Sequence, residues 1–366
     1  MRVICDRGAL LDALNLAGGA ILARTPKPVL SCVRITAEAD ALTVAATDLE
    51  MAVTVSTPRV EVQEAGQALV PADKLAQIVR ESIDPTLTIE TDEEAAHIRS
   101  ADSHFKVFGF KPEEFPPLPQ LEADADFEID GAQLHKLITQ TKFATARESS
   151  RYAINGVLFE RDGKKLTVVA TDGRRLAMAK GDCKQAKGDN RSAIVPTKTL
   201  DLLLRVFDQP DQNVRVRIAD NQIMFASDNA LVSSNLVEGN FPPYQDVLPQ
   251  DNDRKATMAT DMLASAVRRA AVLTNEESKG VRLSFTGEQL TLSSRAPEMG
   301  EAEIQVEMPE YSGEPVDIGF NPGFITDALK VAETDKVSVE MKASNKPGVI
   351  RTGPDFLCVI MPVNLE

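Results

Sequence analysis

Tryptophan is absent from the 366 residues of this chain, and aromatic side chains make up only 5% of it. We therefore expect an aliphatic core, and binding surfaces that stack bases on aromatic rings are disfavoured. Long apolar runs are also missing, since the nearest candidate, residues 16–23, is interrupted by two glycines. A membrane span needs about 20 apolar residues, and the N-terminus lacks a signal-peptide pattern. The sequence predicts a cytoplasmic protein with no membrane partner.

Cysteine and histidine are scarce and scattered. No two of the four cysteines form a Cys-x-x-Cys pair, and the three histidines lack the spacing of metal ligands. A disulfide framework is therefore not expected, and neither a metal nor a cofactor is predicted. The cysteines are instead expected to be small buried hydrophobes. The residues concerned are Cys5, Cys32, Cys183, Cys358, His97, His104 and His135.

Net positive charge is lacking as well, because the formal net charge is −15. Tight, sequence-independent wrapping of DNA needs many phosphate contacts and is disfavoured by this charge. A protein whose basic groups are confined to one inner face remains compatible with it. The length of 366 residues predicts two or three domains.

What the sequence does contain is an internal repeat. Residues 41–48 read ALTVAATD and residues 165–172 read KLTVVATD, so six of eight positions are identical at a separation of 124. A third, fainter copy is visible where residues 280–292 (GVRLSFTGEQLTL) resemble residues 156–168 (GVLFERDGKKLTV). Repeated segments in the same order indicate duplicated structural units. We predict three domains, with boundaries at 1–122, 123–250 and 251–366.

Each copy has the same predicted order of elements: a strand, a helix, alternating strands joined by turns, a second helix, and closing hairpins. The predicted N-caps of the first helices are Asp6, Asp130, and either Thr260 or Asp261. The second helices are predicted to begin after Pro71, Pro196 and Pro322. Two helices on antiparallel sheet in each copy predict an α+β fold. Three such domains favour an arc, which a twofold dimer can close into a ring.

Several segments resemble bacterial sliding clamps, the DNA polymerase III beta subunits. The most specific are residues 151–157 (RYAINGV) and 169–177 (VATDGRRLA), supported by residues 46–51 (ATDLEM) and 236–239 (LVEG). The resemblance spans essentially the whole chain. It implies a non-catalytic processivity factor of DNA replication, built as a head-to-tail homodimeric ring that encircles and slides along duplex DNA. It also implies three kinds of protein partner: the clamp loader complex, the replicative polymerase alpha subunit, and other proteins bearing a clamp-binding motif.

The resemblance assigns residues to three sites. The DNA-facing residues would be Arg24, Lys74, Arg151, Tyr152 and Lys198. The apolar groove for short linear motifs would comprise Ile154, Thr171, Gly173, Arg175, Leu176, Pro242, Val247, Val359, Ile360, Met361, Pro362 and Val363. The dimer seam would join Phe105 and Val107 of one chain to Val272 and Leu273 of the other.

The chain departs from the family pattern at several positions. Asp73 and Thr197 stand where relatives often have basic residues, which predicts a weak grip on DNA. Arg174, Asp246 and Asn364 differ at the rim of the groove, which predicts a change in motif preference.

Two other classes of protein are open to test. An enzyme could use the repeated Asp48 and Asp172, although aspartates in turns more often bond to nearby backbone amides. The sequence contains neither a phosphate-binding loop nor a Ser-His-Asp pattern. An oligomeric scaffold with no role on DNA is the other alternative. Retention on circular but not linear duplex would distinguish a clamp from such a scaffold.

Overall fold

The structure is a computed structural model that describes residues 1–22, 24–92, 95–121, 124–146, 153–274, 280–297, 299–308 and 310–364. Arg151 and Tyr152, two of the predicted DNA contacts, lie outside the described residues.

The elements repeat three times along the chain. The first copy contains β1 (Arg2–Asp6), α1 (Arg7–Ala17), β2 (Cys32–Glu38), β3 (Ala41–Thr47), β4 (Met51–Thr57), β5 (Val60–Glu64), β6 (Gly66–Pro71), α2 (Ala72–Glu81), β7 (Thr86–Thr91), β8 (Ala95–Arg99) and β9 (His104–Phe108). The second contains β10 (Phe127–Asp130), α3 (Gly131–Lys142), β11 (Gly156–Asp162), β12 (Lys165–Thr171), β13 (Arg175–Asp182), β14 (Arg191–Pro196), α4 (Thr197–Val206), β15 (Asn213–Ile218), β16 (Gln222–Ala226) and β17 (Ala230–Asn235). The third contains β18 (Arg254–Ala259), α5 (Thr260–Ala270), β19 (Val281–Thr286), β20 (Gln289–Ala296), β21 (Gly300–Glu307), β22 (Glu310–Ser312), β23 (Val316–Phe320), α6 (Pro322–Lys330), β24 (Lys336–Met341), β25 (Gly348–Thr352) and β26 (Phe356–Ile360). The predicted threefold repeat and α+β class are confirmed.

The helix starts follow local chemistry, with two corrections to the predictions. Asp6 caps α1 as predicted, because its side chain accepts a 2.8 Å hydrogen bond from the amide of Ala9. The predicted cap of α5 at Thr260 or Asp261 is wrong, since Thr260 is the first helical residue and its hydroxyl donates to the Thr334 carbonyl at 2.7 Å. Helix α6 begins at Pro322 itself rather than after it.

Asn321 supplies the cap of α6. Its side-chain oxygen accepts from the Gly323 amide at 2.9 Å, and proline at the first helical position has no amide that needs a partner. The other two second helices do follow a proline, with α2 starting at Ala72 and α4 at Thr197.

The described residues form two compact units. The first comprises Met1–His135, Cys183–Asp189 and Lys198–Leu236. It contains a five-stranded sheet in the order β5-β1-β7-β8-β9 and an eight-stranded sheet in the order β10-β15-β16-β17-β4-β3-β2-β6. The eight-stranded sheet joins strands of the first and second copies through antiparallel pairing of β17 with β4. The sheet therefore runs across a domain boundary, which the repeats alone did not indicate.

The second unit comprises Lys136–Asp182, Asn190–Thr197 and Val237–Glu366. Its nine-stranded sheet has the order β14-β11-β12-β13-β26-β25-β24-β18-β22, and its four-stranded sheet the order β21-β20-β19-β23. The pairing of β13 with β26 joins the second copy to the third. Strands of the second copy are thus divided between the two units.

Apolar side chains fill both units. Strands such as β15 alternate between buried and more exposed positions, whereas β26 is buried at all five positions. All four cysteines are buried, as expected for small hydrophobes. Burial raises the pKa of the Cys5 and Cys358 thiols to about 12. Because the thiolate is the reactive form, these two cysteines are chemically inert. Across the described part of the chain, no helix combines the length and the apolar character that a membrane crossing requires.

Candidate functional site

The repeated ATD segments form the same turn in both copies. Asp172 Oδ1 accepts hydrogen bonds from the amides two and three positions later, at 3.0 Å each. Asp48 Oδ1 accepts the equivalent pair at 3.0 and 2.8 Å. Both aspartates therefore support turns, as predicted. Neither carboxylate is left free for acid-base chemistry.

The residue after each aspartate has a left-handed backbone. Gly173 has φ 82°, and Leu49, its counterpart in the first copy, has φ 78°. Glycine adopts this conformation without strain, whereas leucine does so at a cost. A Cβ added at Gly173 would meet no atom within 4 Å among the described residues. The surface over this turn in the second unit is therefore open.

Arg175 braces this turn against a helix of the third copy. Its guanidinium donates to Asp172 Oδ2 at 3.1 Å, to Asp327 Oδ2 at 2.7 Å and to the Phe143 carbonyl at 2.7 Å. The rings of Phe143 and Phe324 lie 5.1 and 4.5 Å from its Cζ atom. Only 10% of the side chain is exposed. Arg175 therefore holds together α6, the ATD turn and Phe143, the residue that follows α3.

In the first unit, Lys198 plays the part that Arg175 plays in the second: it binds the aspartate of the ATD turn. Its ammonium bonds to Asp48 Oδ2, the oxygen that the turn amides leave free. Lys198 is the second residue of α4, and the next residue, Thr199, shares a 2.7 Å hydrogen bond with the Ser234 hydroxyl on β17. In both units the aspartate of the turn is thus linked to the second helix of the following copy, through Lys198 in one and Arg175 in the other.

We expect Asp48→Ala to lower the free energy of unfolding by about 2 kcal/mol, because two turn amides and the Lys198 ammonium lose a buried partner. Asp48→Asn keeps an acceptor for the amides and removes only the ion pair, so it should cost about half as much. Urea unfolding monitored by circular dichroism measures both. Equal losses for the two variants would contradict the assigned role of the turn amides.

The predicted groove residues all lie in the second unit. Arg175 pairs with Ile360, and Leu176 with Val359, across the junction of β13 and β26. Leu176 and Val359 belong to one apolar cluster, which also contains Tyr244. Val247, which ends the 3-10 turn that begins at Tyr244, is 42% exposed. The remaining predicted members are Ile154, Thr171, Gly173, Pro242, Met361, Pro362 and Val363.

Tyr244 is fixed at the base of this surface. Its hydroxyl donates a 2.6 Å hydrogen bond to Glu160 Oε2 on β11. Burial, reinforced by the adjacent Glu160 carboxylate, raises the pKa of Tyr244. The phenol is therefore neutral and acts as a rigid part of the wall.

The C-terminal segment, residues 361–364, is hydrogen-bonded to the chain on both of its sides. The Met361 amide donates to the Arg174 carbonyl at 2.9 Å, and the Val363 amide donates to the Gly319 carbonyl at 2.9 Å. The Met361 side chain is 39% exposed. On the Gly319 side, a cavity of about 650 Å³ is lined by Arg282, Asp317, Ile318, Ser344, Asn345 and residues 361–364. The segment thus forms an ordered, partly apolar ridge.

Three of the predicted DNA contacts are described, and all three lie in the first unit. Arg24 is exposed in the segment after α1. Lys74 is exposed on α2, with its ammonium 3.6 Å from the Asp73 carboxylate. Lys198 is half exposed, but its charge is paired with buried Asp48. Arg24 is therefore the least compensated of the three charges.

The predicted seam residues lie beside terminal strands. Phe105 and Val107 are on β9, the last strand of the five-stranded sheet, and Phe105 is 39% exposed. Val272 and Leu273 follow α5 in a 3-10 turn, Ala271–Leu273, that packs against β21. Val272 is 69% exposed, and β21 is the last strand of the four-stranded sheet.

A histidine pair on the β8–β9 hairpin was not predicted. His97 Nδ1 and His104 Nε2 are 2.9 Å apart, and His97 Nε2 lies 2.9 Å from Asp92 Oδ2. The two histidines are seven positions apart in sequence, which is not a metal-binding spacing. The hairpin register, with Arg99 opposite His104, would have indicated their proximity.

Three domain models of one family match the chain: the N-terminal domain of the DNA polymerase III beta subunit at residues 1–119, its central domain at 128–243, and its C-terminal domain at 245–364. A beta sliding clamp from Pseudomonas aeruginosa is 32% identical, with 100% of both chains covered. The solved DNA polymerase sliding clamp from Bacillus subtilis has a TM-score of 0.95 at 27% identity, again over 100% of both chains. A sliding clamp structure from Pseudomonas aeruginosa bound to griselimycin has a TM-score of 0.94 at 32% identity and the same coverage.

Proposed function

The chain belongs to the DNA polymerase III beta subunit family, and we propose that it forms a homodimeric ring that encircles duplex DNA and acts as the processivity factor of replication. The observation that carries this proposal is the match of all three family domains, in order, from residue 1 to residue 364. A sliding clamp is not an enzyme, and the turn-bound carboxylates of Asp48 and Asp172 are consistent with a structural role.

The ring would close head to tail between two copies of the chain. One copy would contribute β9 with Phe105 and Val107, and the other would contribute β21 with Val272 and Leu273. An unpaired strand edge with exposed apolar side chains is unstable in isolation and invites pairing with another chain. Closure would cover both edges at once.

The DNA would be held by topology rather than by strong contacts. Arg24, Lys74 and Lys198 are proposed to face the duplex, together with Arg151 and Tyr152. The pairing of Lys198 with Asp48, and of Lys74 with Asp73, reduces the free positive charge. Few and weak phosphate contacts permit sliding. A net charge of −15 would repel DNA from the rest of the surface.

The groove along β13, β26 and the C-terminal ridge is proposed to bind short motifs with a glutamine, a leucine and an apolar pair. Apolar side chains in a preformed pocket supply most of the affinity in such sites. The motifs would belong to the clamp loader complex, the replicative polymerase alpha subunit and other clamp-binding proteins. Arg174, Asp246 and Asn364 at the rim are proposed to tune motif preference.

We further propose that the domains comprise residues 1–122, 123–250 and 251–366, and that the protein works in the cytoplasm. The matched family segments, which end at residue 119 and at residue 243, support the order and approximate extent of these domains.

Loading onto DNA tests the proposed function. The chain is loaded by its ATP-driven loader onto a nicked circular plasmid, and bound protein is separated by gel filtration before and after the plasmid is cut once. We expect co-elution with the circle, even at salt concentrations that release phosphate contacts, and loss of the protein after linearisation. Topological retention does not depend on counterion release.

A double variant, Arg24→Ala with Lys74→Ala, should slow loading while leaving retention on the circle intact. Protein that stays bound after cutting would indicate ordinary phosphate binding, and protein that binds neither form would indicate a scaffold. A solution mass near 39.7 kDa, rather than twice that value, would contradict the dimer.

A further inference from the structure

The histidine pair lies on the strand edge that the proposed ring uses for closure. Direct pairing places Ile98 opposite Phe105 and Ala96 opposite Val107, which defines the apolar face of the β8–β9 hairpin. His104 has the opposite parity on β9. The pair therefore lies on the other face of the sheet, beside the same edge.

The His97–His104 pair can accept one proton without losing either of its hydrogen bonds. When both rings are neutral, His97 donates through Nε2 to Asp92 and accepts at Nδ1 from His104. When one proton is added, it binds the free Nδ1 of His104, while His104 Nε2 still donates to His97 and His97 Nε2 still donates to Asp92. A second proton would place two N–H groups face to face at 2.9 Å and break the pair.

The charges around the pair are mixed. Glu90 on β7 is paired with His97, and its carboxylate lies 3.8 Å from the Arg99 guanidinium on β8. Lys106 on β9 is opposite His97, and Asp92 precedes β8. Partial removal from water lowers the pKa of His104, Arg99 and His97 lower it further, and the Glu90 carboxylate opposes this only in part. In the isolated chain these surroundings disfavour a charged His104.

The strand proposed to meet this edge carries three glutamates on one face, and one of them, Glu301, is paired at 3.1 Å with the Arg295 guanidinium on β20. Along β21, the exposed residues Glu301, Glu303 and Glu307 alternate with the half-buried Ala302, Ile304 and Val306. The half-buried face is the one that adjoins the turn of Val272 and Leu273.

Side-chain parity determines which residues share a face when the two edges pair. Successive side chains on a strand point to opposite faces, and a slip of one residue exchanges the faces completely. If Phe105 and Val107 lie on the same side as Ile304, His104 and Lys106 must lie on the same side as Glu301 and Glu303 of the second copy. The opposite register would place Glu301 and Glu303 on the same side as Phe105 and Val107, and burying charges against apolar side chains is costly.

We propose that the His97–His104 pair is a proton-sensitive contact at the seam, which gains a proton when β9 of one copy pairs with the acidic strand β21 of another. This inference rests on the proposed ring. Nearby carboxylates favour the protonated form of histidine, so the pair would hold a proton more tightly in the dimer than in the free chain. By linkage, the dimer is then favoured as the pH falls and His104 gains its proton.

The test is the dissociation constant of the full-length dimer, measured by analytical ultracentrifugation at pH 6, 7 and 8 and constant ionic strength. Because a ring of two copies has two seams, the dimer takes up two protons. An effect of about fivefold to tenfold at each seam then predicts a dissociation constant about 25-fold to 100-fold lower at pH 6 than at pH 8. His104→Gln keeps a polar side chain but cannot take up the proton, so its dissociation constant should be independent of pH over this range.

Two matched controls separate the pair from general electrostatics. His135, the third histidine of the sequence, lies on α3, and His135→Gln should keep the full pH dependence. Lys106→Gln removes a positive charge on the same face and leaves both histidines in place. It should weaken the dimer at every pH and keep the slope.

The alternatives are distinguishable. A dimer of unchanged affinity between pH 6 and pH 8, or a slope that survives His104→Gln, overturns the proton-sensitive contact and leaves the ring intact. Absence of a dimer at every pH overturns both proposals.

Discussion

Deletion of residues 361–366 is expected to lower the affinity for a clamp-binding peptide at least about 100-fold, equivalent to about 2.8 kcal/mol. The deletion removes the ridge that Met361 and Val363 hold in place through their hydrogen bonds to the Arg174 and Gly319 carbonyls. A peptide leucine that packs against Met361 would lose one wall of its pocket, and the remaining surface would be wet. Fluorescence anisotropy with a labelled Gln-Leu motif peptide measures the loss.

Deletion of residues 365–366 alone is the matched control, because it shortens the chain and keeps the ridge. The control should bind peptide with near-normal affinity. Both truncated chains should remain dimeric, since the residues of the proposed seam are unchanged, and both should keep the circular dichroism spectrum of the full chain. Unchanged peptide affinity after removal of residues 361–366 would rule out the groove assignment.

Local elements of this fold could be predicted from the sequence because their causes are local. The Asp-Gly turn at Gly163, the hairpin that contains Val214 and Ile223, and the Asp6 cap each depend on residues a few positions apart. The threefold order also followed from the repeat. The failed cap at Thr260 shows the limit, since its hydroxyl is used by the Thr334 carbonyl, 74 positions away.

The junctions between copies could not be predicted, because each depends on pairing between distant segments. Strand β13 pairs with β26 across about 180 positions, and no local pattern indicates that partner. The same limit applied to contacts of the side chains that the resemblance assigned to sites. Lys198 was expected to face DNA, but its ammonium also neutralises Asp48, 150 positions away. Arg175 was assigned to the groove, but its guanidinium contacts Asp327, 152 positions away.

Arg175→Ala is expected to reduce the free energy of unfolding by about 3 kcal/mol and to weaken peptide binding in the protein that remains folded. Removing one member of a buried ion pair leaves its partners uncompensated, which typically costs several kcal/mol. Here Asp172 and Asp327 both lose their cation, and the Phe143 carbonyl loses a donor. Arg175→Lys should recover only part of the loss, because a single ammonium cannot reach three acceptors in the geometry of the planar guanidinium.

Arg174→Ala is the matched control. Its side chain is exposed, and its backbone carbonyl, which accepts from the Met361 amide, is retained in the variant. The free energy of unfolding in urea should therefore be near the wild-type value for Arg174→Ala and strongly reduced for Arg175→Ala.

Stability and peptide affinity, both measured on Arg175→Ala, separate a structural role of the guanidinium from direct contact with the peptide. Lost stability with normal peptide affinity would restrict Arg175 to the fold, whereas normal stability with lost affinity would mean that the guanidinium contacts the peptide directly. Loss of both is the expected result, because the ATD turn would form a wall of the proposed groove and Arg175 joins that turn to α6.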